Sequence, residues 1–137
     1  MRYGLDLRYR VLTASRAPLM AVLCLTAAAA ACGSRVVKDA ETLTGGNVGR
    51  GKAAIGKYGC AACHTIPGIE GATAMVGPPL GSVAVRQYLG GHLPNSPDNM
   101  IQWIQHPQMI DPSNSMPELG VTDQDARDLT ALLYTFR

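Results

Sequence analysis

Two cysteines and a histidine fall within five residues, Cys60-Ala61-Ala62-Cys63-His64, and no other stretch of this 137-residue chain restricts it so tightly. Four cysteines and three histidines are present in all. What the cluster can do depends on the compartment the chain occupies and on which other residues remain to assist it. The segment ahead of the cluster bears on both.

Arg2, Arg8, Arg10 and Arg16 make a basic start, and a run without charge follows from Ala17 to Ala31. A basic start, an apolar middle and a small-residue end form the pattern of a secretory signal. The run is shorter than the roughly 20 apolar residues of a membrane span, so an uncleaved anchor helix is the lesser alternative. Residues 1–31 are therefore read as a leader. Cys32 follows Ala29-Ala30-Ala31 and precedes Gly33-Ser34, which resembles a bacterial lipoprotein processing site. That resemblance implies an acylated Cys32 as the new N-terminus and a lipid anchor in the membrane, since more than one acyl chain holds a protein stably there. Ordinary cleavage after an Ala-x-Ala site is the alternative, and it leaves Cys32 as a free thiol.

Removing the leader reverses the charge balance. Of 12 basic and 10 acidic residues, eight and nine remain, so the mature chain is slightly acidic. No basic patch is left for nucleic acid, and no nucleic-acid partner is expected. Export also places Cys60 and Cys63 where disulfides are permitted.

Residues 32–46 are polar and end in Gly45-Gly46, reading as a flexible tether. One small domain remains, 47–137. Its first helix is expected from the N-cap Asn47 to Tyr58, with Val48, Gly51, Ile55 and Tyr58 on one face. Gly49, Gly51 and Gly56 each weaken it by about 1 kcal/mol relative to Ala. Gly51 on the buried face predicts a second helix crossing closely there. A second helix starts at Ser96 with Pro97 in its first turn, buries Met100, Ile101, Trp103 and Ile104, and stops at Pro107. A third is capped by Thr122 with Asp125 three residues on, and carries the stripe Ala126, Leu129, Leu132, Leu133 and Phe136. No stretch alternates as a strand should. The fold class is all-α, with long irregular loops over 65–83 and 106–121. Loops of that length are usually functional. One Trp, one Phe and five Tyr, two of them in the leader, leave few large side chains for a core. Something other than side chains is expected to fill the middle.

Four chemistries compete for the cluster. A closed zinc site needs four ligands, and the other cysteines, Cys24 and Cys32, belong to the leader or its end. A thioredoxin-like pair needs a preceding strand and a βαβ context, whereas a glycine-rich helix precedes this one. Chance is a poor account of the domain's two cysteines lying beside one of its histidines. Covalent haem c attachment fits best: the thiols add to the haem vinyl groups and His64 follows as an axial iron ligand.

From about Asn47 to Arg137 the chain resembles a class I cytochrome c domain. The similarity extends beyond the cysteine cluster to Gly77-Pro78-Pro79-Leu80, to 93–107 and to 114–133. It is especially similar to the cytochrome c domain fused to subunit II of some bacterial haem–copper oxidases, here without the copper-binding subunit and its transmembrane helices. The resemblance implies a small cytochrome c fold, three main helices and long loops wrapped around one covalently attached haem.

It also implies roles for particular residues. The domain offers Met75, Met100, Met109, Met116, His92 and His106 for the second axial position, and the Ser115-Met116-Pro117 step matches the position of the family's methionine ligand. Pro78 matches the proline whose carbonyl accepts from the axial histidine. Arg86 or Trp103 is expected at a haem propionate, with simple core packing the alternative for Trp103. Six-coordinate iron leaves no position for substrate, which implies an electron carrier and not an enzyme. The expectation is a membrane-tethered, exported carrier on the periplasmic side of a bacterial membrane. It would pass single electrons along a respiratory chain toward a terminal oxidase. An electron-accepting subunit of a periplasmic dehydrogenase and a ligand-binding haem sensor are the alternatives.

Overall fold

The computed structural model describes residues 33–137; the leader and Cys32 lie outside the described residues. Val36–Arg137 form one compact unit. Helix α1 covers 33–44. It is followed by α2 (Val48–Lys57), α3 (Pro97–Gln105), the single turn α4 (Pro107–Ile110) and α5 (Asp123–Leu133). Single 3-10 turns occupy Cys60–Ala62 and Val83–Val85, and a minimal antiparallel hairpin pairs β1 (Tyr88–Leu89) with β2 (Leu93–Pro94). No helix among the described residues is long and apolar enough to cross a membrane.

The cap residues read from sequence act as expected. Asn47, Ser96 and Thr122 each accept from the backbone N–H three residues on, at Arg50, Asn99 and Asp125. Each satisfies an N–H that the helix leaves unpaired. Helix α3 ends at Gln105 because Pro107 cannot continue it, and the same proline opens α4.

The segment 32–46 differs from the flexible tether read from sequence. It is helical over 33–44, and its last turn is built into the domain. Ala40 and Thr44 are buried, and the Glu41 carboxylate accepts from the Asn47 side chain and the Val48 N–H at 2.8 and 2.9 Å. Composition suggested a linker because the apolar residues are few. The helix is held by one capping carboxylate and two small buried contacts, which leave no periodic stripe to read.

The frame of the domain is α2 laid across α5. A Cβ at Gly51 would overlap the backbone carbonyl of Asp128 and stand 3.0 Å from Leu132 Cβ, so only glycine permits this approach. Gly46 meets the backbone of Arg127 in the same way. Asp128 closes the crossing from the other side, with its side chain 1 % exposed. It accepts from the Asn47 N–H at 2.7 Å, from the Arg50 guanidinium at 2.6 and 2.8 Å, and from Gln124 at 3.0 Å. A second contact lies at the far end of α2, where Lys57 and the Tyr58 hydroxyl both donate to Asp125, at 2.7 and 2.6 Å. Around this frame pack Ile55, Ile66, Val83, Leu89, Met100, Ile101, Ile104, Val121, Leu129, Leu132 and Leu133.

Gly51→Ala should separate the two helices and lower stability by about 3 kcal/mol, the upper range for overpacking. Asp128→Ala should cost about 1–3 kcal/mol, chiefly by leaving the Asn47 N–H without its acceptor. Chemical denaturation measures both. The carboxyls also set an acid limit. Lys57 and then Tyr58 hold Asp125 down to about 2, and Arg50, with the Asn47 N–H and Gln124, holds Asp128 below the usual range. Depressed carboxyls bind protons less readily folded than unfolded, so their stabilisation is complete above the unfolded value and lost as pH falls. Unfolding should therefore become easier below about pH 4 and continue to ease toward pH 2, with a shallower decline in Asp125→Asn.

Candidate cofactor site

Gly59 turns the chain out of α2 with φ 68°, a left-handed conformation suited to glycine. The 3-10 turn Cys60–Ala62 follows, and both the Cys63 and His64 N–H groups donate back to the Cys60 carbonyl, at 3.2 and 3.1 Å. One tight turn thereby sends Cys60, Cys63 and His64 into the same cavity. Burial pushes the Cys60 thiol up.

The loop after His64 folds back beside it. Gly77 N–H donates to Cys63 O at 2.8 Å and Leu80 N–H to Thr65 O at 2.9 Å, while the Thr65 hydroxyl donates to Ala74 O. This return places the Pro78 carbonyl 2.8 Å from His64 Nδ1. With Nδ1–H donating there, Nε2 carries the free lone pair, the tautomer a metal-ligating histidine requires. Gly77 lies flat against the imidazole, where a Cβ would overlap the ring. The Arg86 guanidinium donates to the carbonyls of Pro79 and Gly81, fastening this loop to the Val83–Val85 turn.

The cavity measures about 390 Å³, within the roughly 300–1,000 Å³ of cofactor pockets. Its walls come from every element of the frame: Ile55 of α2, Met100 and Ile104 of α3, Leu129 and Leu133 of α5, and Leu89 of the hairpin. Among the described residues, Arg86 is the one charged side chain in the lining. A large flat apolar group bearing two carboxylates fits that chemistry. Apolar walls receive the ring, two thiols and an imidazole share one turn, and a single guanidinium remains for the acidic edge. Two of its five donors at most are engaged by the two loop carbonyls.

Met116 and Pro117 line the same cavity from the loop between α4 and α5. The other candidate ligands are placed differently. Met75 and Met109 stand in solvent at 84 % and 72 % exposure, and Met75, Met109, His92 and His106 are absent from the lining. Met100 lines the cavity from a buried helix face, as its place on the apolar side of α3 predicted. Trp103 lines it too, half-buried, with its ring over Gly90 where a Cβ would overlap it. This packing is the simpler of the two roles expected for Trp103.

Sequence reasoning passed over Asn95. Its side chain donates to the Val83 and Arg86 carbonyls at 2.8 and 2.9 Å and accepts from the Tyr134 hydroxyl at 3.0 Å. It thereby joins the hairpin, the Arg86 turn and the end of α5. A single polar residue in a loop leaves no periodic signal that could have revealed it.

The fold and site define a small all-α protein built around a covalently attached cofactor. The chain belongs to the cytochrome c family, whose model matches residues 48–136. A relative found among curated proteins is the cytochrome c oxidase subunit 2 of Alkalihalophilus pseudofirmus, 28% identical over 104 residues. That match covers 76% of this chain and 28% of the relative, so the chain spans little more than a quarter of its length. No solved structure matches significantly. The cofactor is one covalently bound haem c, with Cys60 and Cys63 in the attachment positions. When bound, the haem supplies one-electron redox chemistry, and the protein supplies binding, orientation and tuning.

Gly77→Ala should displace the His64 ring and loosen its bond to Pro78. A lower yield of haem-loaded protein and a shifted imidazole resonance are expected, while Gly81→Ala, whose nearest side-chain contact is an ordinary 3.4 Å to Pro67, should behave as wild type.

Proposed function

We propose that this chain is a membrane-tethered monohaem carrier, not an enzyme, that moves single electrons through a respiratory chain toward a terminal oxidase. The observation that carries the reading is the 2.8 Å contact of His64 Nδ1 with Pro78 O, in a cavity that Met116 shares. Nε2 of His64 would then be free to hold the haem iron, and the Met116 thioether would be its second protein ligand. A thioether ligand together with an imidazole raises the potential relative to two nitrogen ligands, and with Met116 in that role the carrier would be a high-potential one. Arg86 is the propionate partner in this reading, because among the described residues it is the cationic side chain of the lining, and Trp103 serves as wall.

The rim supports a docking mode. Val76, Tyr88 and Leu119 line the cavity and remain exposed at 79 %, 57 % and 38 %. An apolar rim around the redox group suits short-range contact with a partner protein more than long-range steering. Anchoring at the membrane raises the local concentration of the carrier at its partner instead. Lipid on Cys32 is the proposed anchor, placing the domain on the periplasmic side, and the oxidase is the proposed partner because the relative is an oxidase subunit.

The ferric protein should show the far-red band of sulfur ligation, and Met116→Ala should abolish it. Ready carbon monoxide binding by the untreated reduced wild type would exclude six-coordination and favour a ligand-binding haem protein. Electron transfer to an oxidase should vary little with ionic strength; a steep fall with salt would contradict the apolar docking mode. Intact mass of the exported protein should give haem plus acyl chains on Cys32. Stable co-purification with a large dehydrogenase would instead favour a role as that enzyme's electron-accepting subunit.

A further inference from the structure

We propose that Asp111 is a positioning residue for the Met116 thioether, closing the loop that carries it and pinning that loop to the β1–β2 hairpin at His92. The proposal rests on Met116 as an iron ligand, the assignment made above.

Between Ile110 at the end of α4 and Asp123 at the start of α5 the backbone has no helix or strand. Met116 is therefore presented by side-chain bonds. Asp111 Oδ1 accepts from the Ser113 N–H at 2.9 Å and from the Ser113 hydroxyl at 2.6 Å. The Asn114 N–H returns to the Asp111 carbonyl at 3.0 Å, and Asn114 Oδ1 accepts from the Met116 N–H at 2.7 Å. Two links thus run from the Asp111 carbonyl through Asn114 to Met116, and the Asp111 carboxylate braces the same turn through Ser113. They start from a fixed point, because the Asp111 N–H closes α4 on the Pro107 carbonyl.

The second carboxylate oxygen leaves the loop. Asp111 Oδ2 stands 3.3 Å from His92 Nε2. His92 follows Gly90 and Gly91, whose φ of 55° and 81° make the hairpin turn, and its N–H is tied to Leu89 O at 3.0 Å. Tyr88, Leu89 and Gly90 of that hairpin line the cavity, as do Asn114 to Pro117. The Asp111–His92 contact thus joins two parts of the cavity wall that the backbone does not connect locally. Ser113 above all, with His92, holds the Asp111 carboxyl below the usual range, so it stays ionised at neutral pH. The His92 imidazole is the side chain that this carboxylate meets across the gap to the hairpin.

The carboxylate side chain is 19 % exposed and the imidazole 50 %. A pair so placed adds little to global stability. Its effect falls on local opening of the loop, where few other bonds compete.

The experiment uses full-length haem-loaded protein and added imidazole, which replaces the sulfur only when the loop opens. Asp111→Ala should speed the displacement several-fold with a nearly unchanged unfolding midpoint. Asp111→Asn keeps acceptors for Ser113 and loses the charge opposite His92, so it should fall between wild type and Asp111→Ala. His92→Gln should accelerate displacement modestly, because it removes the imidazole that faces Asp111 Oδ2. Amide exchange at Ser113 and Met116 should quicken in the same order. His92 lies half in solvent, so its variant remains informative even if Asp111→Ala folds poorly. Wild-type displacement rates and amide exchange in Asp111→Asn and His92→Gln, with the far-red band lost in Met116→Ala, would overturn the positioning role and leave the ligand assignment standing. Survival of that band in Met116→Ala would overturn the assignment and the proposal together.

Discussion

The close approach of α2 to α5 is the contact on which the rest of the molecule depends. Backbone meets backbone at Gly51 and Asp128, so the two helices are held by shape and by one buried carboxylate. Because the cysteine turn begins three residues beyond Lys57, the end of α2, the crossing also fixes where Cys60, Cys63 and His64 emerge. A glycine that weakens α2 as an isolated helix is what allows it to be held in the fold. Local propensity and tertiary packing oppose each other at Gly51, and packing prevails because a methyl group there has no room.

The cavity is the counterpart of that economy. Large side chains are scarce, and those present, among them Met100, Ile104, Leu129 and Leu133, form walls and leave the centre open. The haem completes the core that the side chains leave unfinished. The same group that gives the protein its chemistry thereby contributes to its stability, as is usual where a small domain encloses a cofactor. Polar bonds then orient the walls. The Pro78 carbonyl fixes the His64 ring, Arg86 fastens the loop that presents this carbonyl, and Asn95 holds the backbone from which Arg86 extends.

Legibility followed periodicity and spacing. The three helices and their caps at Asn47, Ser96 and Thr122 were readable because the signals are local: one side chain and one amide three residues on. The cluster from Cys60 to His64 was readable because its chemistry requires that spacing. The helix over 33–44 was not, since its few contacts are a capping glutamate and the buried Ala40 and Thr44. The β1–β2 hairpin, two residues to a strand, is too short to alternate. Asp128 and Asn95 were missed because each bonds to residues remote in sequence, Asp128 across about 80 positions to Asn47 and Arg50, and Asn95 across 39 to Tyr134.

The sequence by itself determined the fold class, the attachment turn, the candidate ligands and the glycine at the crossing, all of which rest on short-range chemistry. Tertiary structure decided which of those candidates share one cavity. Met116 and Met100 reach it, while Met75, Met109, His92 and His106 do not. The difference is physical: capping and turn formation depend on neighbours a few residues away, whereas lining a cavity depends on how distant helices cross. That arrangement is set by a backbone contact between Gly51 and Asp128, which no local pattern contains.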